Sequence, residues 1–257
     1  MNRLWLALRA ALFYFGYAAL TVWFSVTGVI FCGLLPYRVR YTYLTLWNFL
    51  VMYWLRVTCG LRCEVSGREH IPPGPFVLMS KHQSDWETLF LQVLRPPIAT
   101  VLKQELLRVP FFGWGLGLLE PIAIDRGNPK QALRQIMEQG QRLLGLGRSV
   151  MIFPEGTRTA PGEIGNYARS GATLACKAGV PILPVAHNAG RYWPSKKFLK
   201  YPGVIRVVIG APIDTSTGDG RALTEQVKNW IEGEVARLDA DFFATREQAA
   251  PQPDDAR

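Results

Sequence analysis

The chain has 257 residues, enough for one sizeable domain and an additional segment, and 49% of them are hydrophobic. Its formal net charge of +9 requires partners of opposite charge. The four cysteines do not indicate a disulfide framework, and Cys59-x3-Cys63 has no second pair that would complete a zinc site. The sequence lacks the HExxH, Walker A and GxSxG patterns, so the usual signatures of zinc proteases, P-loop ATPases and serine hydrolases are absent.

The N-terminal stretch is apolar. Residues 10–37 carry no charge and are long enough to span a bilayer, whereas the uncharged run 41–55 is shorter and rich in Tyr and Trp. Arginines precede, separate and follow these runs, so the positive-inside rule favours no span with opposite ends. We predict that residues 1–62 anchor the chain through two helices that dip into one leaflet, in preference to two full spans. A cleaved signal peptide is the rival interpretation, but the apolar region is too long for one and no small-residue cleavage site follows.

A histidine follows the first apolar run of the remaining chain. Residues 76–79 predict a buried strand, residues 81–88 read Lys-His-Gln-Ser-Asp-Trp-Glu-Thr, and a helical pattern comes next. At the C-terminal end of such a strand, His82 could abstract a proton while a carboxylate fixes its tautomer. Ser84 and Glu87 also fit a helix capping box, and Asp85 could be the N-cap or the partner of the histidine. These residues alone leave a catalytic dyad and a structural histidine open.

Basic residues follow three further apolar runs. Lys103 follows the run at 101–102, Arg126 ends the stretch 120–126, and Arg158 ends Phe-Pro-Glu-Gly-Thr-Arg after the run 150–152. A guanidinium offers a planar fork of donors suited to phosphate, although a surface ion pair would be the default for a single arginine. For Lys103, a phosphate role and a purely structural one are equally supported. Gly156 would allow a sharp turn and leave room for a ligand.

The rest of the chain alternates helical and apolar patterns. Asn128 as N-cap and Pro129 at the first position predict a helix that ends at Gly145 or Gly147. A strand at 203–209 and a closing helix at 221–243 follow. We therefore predict an α/β catalytic domain over 63–243, with a central mixed sheet covered by helices, and a disordered tail over 244–257.

A lysine-rich loop follows the apolar run 180–185. Lys196, Lys197 and Lys200 lie close to Tyr192 and Trp193. This loop could rest on a membrane surface, or it could be an ordinary solvated charge run.

Four sequence blocks resemble those of the glycerolipid acyltransferase family, most strongly its bacterial 1-acylglycerol-3-phosphate members. The blocks are 81–88, 120–126, 153–158 and 180–185, and the resemblance covers residues from about 65 to 215. The family's first block is usually His-x4-Asp, whereas the matching position here is Glu87 and Asp85 comes two residues too early. The resemblance implies that His82 is the general base and that Glu87 orients it. His70 and His187 are expected to be structural.

The resemblance also implies roles for the other blocks. Arg126 and Arg158 would hold the phosphate of the acceptor, and Glu155 would contact the glycerol or brace Arg158. Gly156 and Thr157, in the same block, would lie at the substrate. No metal is expected, and no cofactor beyond the co-substrate, an acyl-CoA or an acyl-carrier protein.

The implied reaction acylates the sn-2 hydroxyl of lysophosphatidic acid with the acyl thioester and yields phosphatidic acid. Alternatives are another lysolipid or glycerol 3-phosphate as the acceptor, or a non-catalytic membrane lipid-binding protein. Anionic membrane lipids are expected partners and nucleic acid is not, because no nucleic-acid-binding motif is present. The expected location is the inner membrane, with the catalytic domain on its cytoplasmic face.

Overall fold

A seven-stranded mixed sheet forms the centre of the computed structural model, which describes residues 2–248. The strands are β1 (Leu61–Ser66), β2 (Val77–Ser80), β3 (Ile98–Lys103), β4 (Ile122–Ile124), β5 (Ser149–Ile152), β6 (Ile182–His187) and β7 (Gly203–Ile209). Their order across the sheet is β1-β7-β6-β2-β5-β3-β4, and β6 and β7 form the antiparallel pair. The predicted mixed sheet is confirmed.

Helices cover both faces of this sheet. They are α1 (Arg3–Thr27, continued by a π-helical turn Gly28–Cys32), α2 (Tyr37–Cys59), α3 (Trp86–Gln92), α4 (Phe112–Gly117), α5 (Pro129–Gly145), α6 (Ser170–Ala178) and α7 (Gly220–Gln248). Short 3-10 turns occupy Arg68–His70, Gln104–Arg108 and Ala189–Arg191.

Several predicted elements have the bounds expected from local signals. Helix α5 begins where Asn128 accepts a hydrogen bond from the Gln131 N–H and ends at Gly145. Strand β7 coincides with the predicted run 203–209. The tail differs, because α7 continues to Gln248 and so includes the first residues of the predicted disordered stretch. The rest of that stretch, 249–257, lies outside the described residues.

The central strands are buried on both sides, and alternate side chains enter two separate cores. Leu78, Met151 and Leu183 face a core shared with α1, α2 and α3. Val77 and Ile152 face the other core, which α5, α6 and α7 cover. Parallel strands covered on both faces therefore read as short continuous apolar runs in the sequence.

The N-terminal helical pair is packed into the first of these cores. Phe13 of α1 and Val51 of α2 are fully buried there. Gly16 lies so close to α2 that an added Cβ would come within 2.1 Å of Trp54 Nε1. At the far end of α2, the Tyr41 hydroxyl donates to the carbonyl of Gln92 at 2.8 Å. The pair thus covers the face of the sheet on which this core lies.

The outer surface of the pair is strongly apolar. Large exposed side chains lie on α1, the π-helical turn and α2, among them Trp5, Leu8, Phe15, Trp23, Ile30, Phe31, Phe49 and Tyr53. Among the described residues, Arg3–Cys32 is the one helix long and apolar enough to cross a membrane, judged by length and composition alone. A second group of exposed apolar residues, Leu106, Val109, Phe111 and Trp114, lies between β3 and β4.

The lysine-rich loop differs from the sequence interpretation. Lys196 and Lys197 are exposed, but Lys200 is buried. Its ammonium donates to the Tyr14 hydroxyl at 2.7 Å and lies 4.9 Å from the centre of the Trp193 ring. Burial lowers the pKa of Lys200 to about 8, partly opposed by nearby Cys59 and Asp85. Lys200 therefore joins this loop to α1 and does not belong to a basic surface.

Candidate active site

The predicted site residues meet at one edge of the sheet. Strands β2, β5, β3 and β4 are neighbours and run parallel, so their C-terminal ends lie side by side. His82 follows β2, Lys103 ends β3, Arg126 follows β4, and the block 153–158 follows β5. This edge is where open α/β sheets bind their ligands.

His82 and Glu87 form a hydrogen-bonded pair. The distance from His82 Nδ1 to Glu87 Oε1 is 2.9 Å, Glu87 is fully buried, and His82 is 7% exposed. The same oxygen accepts the backbone N–H groups of Gln83 and Ser84, at 2.8 and 2.7 Å. One carboxylate therefore contacts the imidazole and also caps the helix entry, so Glu87 makes the contacts of both sequence interpretations.

The charge state of Glu87 determines the tautomer of His82. Burial alone would raise the pKa of Glu87, but the hydrogen bonds from the His82 ring and the Ser84 N–H hold that pKa below its ordinary value. An ionised carboxylate can only accept, so His82 Nδ1 must donate. In the neutral ring the lone pair is then on Nε2, which bonds no other described residue and could accept a proton.

Asp85 is not the partner of the histidine. Its carboxylate forms an ion pair with Arg158, whose Nε also donates to the Ser84 carbonyl at 3.2 Å. Asp85 occupies the N-cap position of α3, as one sequence interpretation had it, but its side chain makes no cap hydrogen bond. The Ser84 hydroxyl accepts the Trp86 N–H at 3.1 Å instead.

The backbone of His82 is fixed by the FPEGTR block. Glu155 Oε2 accepts the His82 N–H at 2.8 Å, and the Thr159 N–H donates to the His82 carbonyl at 2.9 Å. The Phe153 ring stacks on the imidazole with 4.1 Å between ring centres. The predicted roles of Glu155, glycerol contact or a brace for Arg158, need correction. Its side chain is buried, and its partners are His82, Thr159 and Lys81.

Cationic groups surround the opening of the site. Arg126 is exposed and makes no ion pair with another described residue, whereas Lys103 pairs with Glu105 at 3.1 Å. Neighbouring protein atoms displace part of the water around Arg126, and this, with the positive charge of Arg158, lowers the pKa of Arg126. Each guanidinium is therefore within electrostatic reach of the other. Two neighbouring cations of this kind favour a bound anion.

The turn after β5 presents its exposed residues to the same opening. Gly156 has φ +66°, and its N–H bonds the Phe153 carbonyl at 3.0 Å. This left-handed backbone conformation favours glycine. No atom would contact an added Cβ, so the space beside Gly156 is open. Thr157 follows, exposed.

Sequence reasoning missed residues that reach the site from distant elements. Tyr14 and Tyr17 of α1 lie near it. Burial, together with the charge of Asp85, raises the pKa of both phenols. Lys81 is fully buried beside the histidine and contacts Glu155 and Glu232 of α7. Only Lys81 carried a local signal, its place next to His82 at a strand end.

His187 is structural, in agreement with the sequence interpretation. It is fully buried, and Nε2 donates to the Lys81 carbonyl at 2.9 Å while Nδ1 accepts the Ala189 N–H at 3.2 Å. Burial lowers its pKa, which matches a neutral ring that supports the chain before His82.

The assembled groups define a class of site. The His82 imidazole, hydrogen-bonded to a buried carboxylate, lies at the same sheet edge as two guanidiniums that can hold an anion. Such a site activates a hydroxyl on an anionic substrate, and that hydroxyl can itself be the nucleophile.

Comparisons with known proteins agree with this class. A family model described as Acyltransferase matches residues 62–188. A 1-acyl-sn-glycerol-3-phosphate acyltransferase of Pseudomonas aeruginosa is 46% identical over 237 residues, 90% of this chain and 92% of that protein. The mouse 1-acyl-sn-glycerol-3-phosphate acyltransferase alpha is 34% identical over 177 residues, 66% of this chain and 62% of that protein.

A solved structure shows the same fold. The 1-acyl-sn-glycerophosphate acyltransferase PlsC of Thermotoga maritima superposes with a TM-score of 0.78 at 23% identity, over 93% of this chain and 98% of that one. The chain belongs to the 1-acyl-sn-glycerol-3-phosphate acyltransferase family and is an acyltransferase.

Two substitutions at Glu87 test the dyad. In Glu87→Gln an amide N–H can face Nδ1 and favour the wrong tautomer, so we expect kcat to fall about 10²–10⁴-fold. Glu87→Asp keeps the charge at a shorter reach, and we expect a loss of only about tenfold. Steady-state rates of variants with matched thermal unfolding measure both. Equal activity in the two variants would remove Glu87 from the mechanism.

Proposed function

We propose that this enzyme transfers a fatty acyl group from an acyl thioester to the sn-2 hydroxyl of 1-acyl-sn-glycerol 3-phosphate, which yields phosphatidic acid. The observation that carries the proposal is the His82–Glu87 pair beside Arg126 and Arg158 at one sheet edge. The proposed reaction is that of the relatives, which are 1-acyl-sn-glycerol-3-phosphate acyltransferases. The donor is a coenzyme A or carrier-protein thioester.

His82 acts as the general base. Its Nε2 takes the proton of the sn-2 hydroxyl as the oxygen attacks the thioester carbonyl, and Glu87 stabilises the imidazolium. The tetrahedral intermediate then collapses, the C–S bond breaks, and the departing thiolate takes the proton from the imidazolium. General-base help contributes about 10²–10⁴-fold in rate, and positioning of the two substrates and stabilisation of the oxyanion supply the rest.

Arg126 and Arg158 hold the phosphate of the acceptor. The ion pair of Arg158 with Asp85 is partly exposed and therefore weak, so a phosphate can replace the carboxylate. Lys103 can turn from Glu105 towards the same anion. Gly156 and Thr157 adjoin the opening, and we assign them to the substrate surface.

The apolar surface lies in one leaflet of the inner membrane, with the catalytic domain on the cytoplasmic face. Phe13, Tyr17 and Leu20 of α1 pack in the core that α2 and α3 share with the sheet, and α1 also contacts α2 and α4. A full span across the bilayer would remove these contacts. A helix pair embedded from one side keeps that packing and covers the exposed outer side chains. Arg40 does not face lipid, since it pairs with Glu120 in the catalytic domain.

The segment between β3 and β4 extends this membrane surface. Helix α4 contacts α1, and an added Cβ at Gly115 would lie 2.7 Å from Ser25 Oγ. Phe111 (φ +61°) and Trp114 are 37% and 48% exposed, with 4.9 Å between ring centres. A strained backbone that turns aromatic side chains outward beside α1 suits insertion at a lipid interface.

The reaction is tested with purified protein in liposomes supplied with lysophosphatidic acid and a long-chain acyl-CoA or acyl-carrier protein. We expect phosphatidic acid from the wild type and a fall of about 10²–10⁴-fold in His82→Ala, because the general base is removed. His70→Ala is the matched control. Equal product from His82→Ala contradicts the base assignment. No product from folded wild type with either donor favours other acceptors first and then a lipid-binding protein.

Replacement of Arg126 tests the phosphate site. Arg126→Gln removes a charged donor, and we expect the KM for lysophosphatidic acid to rise about 10–100-fold with little change in kcat. Arg134→Gln, an exposed arginine on α5, is the control. An acceptor without phosphate should be used equally by wild type and Arg126→Gln. An unchanged KM, or an equal loss with both acceptors, contradicts the assignment.

Two serines in place of Phe111 and Trp114 test the extended membrane surface. Because apolar burial contributes roughly 25 cal/mol per Å², we expect the double variant to bind anionic vesicles about tenfold more weakly in flotation assays. The control is Leu133→Ser, because Leu133 on α5 is 47% exposed on the opposite side of the sheet. Equal binding of the double variant and wild type would exclude this segment from the membrane surface.

A further inference from the structure

We infer that Glu232 of α7 is a positioning residue for His82 and acts through Lys81 and Glu155. Glu232 lies outside the stretch matched by the family model and outside all four sequence blocks. The inference rests on the proposed function for the role of His82. The connection from Glu232 to His82 rests only on contacts between described residues.

The ammonium of Lys81 links the two carboxylates. Lys81 is fully buried, and its Nζ lies 2.8 Å from Glu155 Oε1 and 2.9 Å from Glu232 Oε1. It also donates to the Glu163 carbonyl at 2.8 Å. An ammonium has three donors and no acceptor, so each donor has a partner in this arrangement.

Glu155 transmits this arrangement to the histidine. Its Oε1 accepts from Lys81 and from the Thr159 hydroxyl, at 2.8 and 3.1 Å. With Oε1 held there, Oε2 faces the His82 N–H at 2.8 Å. A chain of hydrogen bonds thus runs from Glu232 through Lys81 and Glu155 to the backbone of the base.

Glu232 itself is held by a rigid element. The Tyr167 hydroxyl donates to its Oε1 at 2.8 Å. On the same helix Val227, Ile231 and Val235 are buried in the core beneath the sheet. A carboxylate carried by a packed helix, such as that of Glu232, keeps the fixed position that a catalytic site requires of its supporting groups.

Stability alone does not account for this cluster. The triad places two carboxylates and one ammonium in a buried region, and well-packed apolar residues of similar volume often stabilise such a site equally or better. One carboxylate oxygen of the triad bonds the backbone of the residue that performs the chemistry. The charged groups therefore have a positional role that apolar side chains could not perform.

The test is Glu232→Gln in the full-length protein, in liposomes with lysophosphatidic acid and acyl-CoA. We expect kcat to fall about tenfold while both KM values stay within about twofold, because an interaction that serves the transition state is weakened. Glu225→Gln, an exposed glutamate on the same helix, is the matched control. Tyr167→Phe removes one hydrogen bond to Glu232 without a change of charge, and we expect a loss of about threefold.

A double variant separates positioning from general damage. If Glu232 acts through His82, then Glu232→Gln should not lower the residual rate of His82→Ala further. An equal loss in both backgrounds would overturn the inference, as would an unchanged kcat in Glu232→Gln.

Amide hydrogen exchange gives a readout that does not depend on activity. We expect peptides that cover 81–84 to exchange faster in Glu232→Gln than in Glu225→Gln, with unchanged exchange in β7. Unaltered exchange at 81–84 in Glu232→Gln overturns the inference, whether or not the protein catalyses the proposed reaction. Faster exchange with an inactive wild type overturns the proposed function and leaves the positioning contact supported.

Discussion

One oxygen atom, Oε1 of Glu87, holds the turn between β2 and α3 together. It accepts from the His82 ring and from two successive backbone N–H groups. Removal of a carboxylate from water costs several kcal/mol, and these three donors are what offset that cost. Because the carboxylate comes from the first turn of α3, the start of that helix and the tautomer of the base are fixed by the same contact. The glutamate, at the position where the resembling family usually has aspartate, thus reaches the imidazole and both N–H groups at hydrogen-bond distance.

Two carboxylates act on His82. Glu155 positions its backbone, and Glu87 fixes the tautomer of its ring. Glu87 contacts the imidazole, whereas Glu155 contacts the backbone N–H of the same residue. Glu87 lies in the first turn of the helix that follows β2, and Glu155 lies in the loop that follows β5. Strands β2 and β5 are neighbours in the sheet. The pairing of these strands thus brings the FPEGTR block to the histidine. In that block the glutamate faces inward to the loop, and Arg158 faces the opening.

The accuracy of the sequence predictions follows from how far each interaction extends along the chain. His82 and Glu87 are five residues apart, and the Asn128 cap bonds three residues ahead, so both were predictable from local spacing. The partner of Glu155 depends on strand order, which no local pattern specifies. The burial of Lys200 depends on Tyr14, 186 residues away, and an exposed loop was the natural expectation. Likewise Lys81 meets Glu232 across 151 residues.

Helix α1 brings the proposed membrane surface and the site together. Successive residues face different surroundings, since Phe13 is in the core, Tyr14 lies towards Asp85 and Phe15 is exposed. The segment that carries Phe111 and Trp114 leaves the sheet at Lys103 and returns just before Arg126. The exposed aromatic residues and the cations thus belong to one connection between two strands. Under the proposed function, a lipid whose acyl chain stays in the leaflet beside this segment would have its phosphate at the arginines, and its free hydroxyl would reach His82 without leaving the membrane surface.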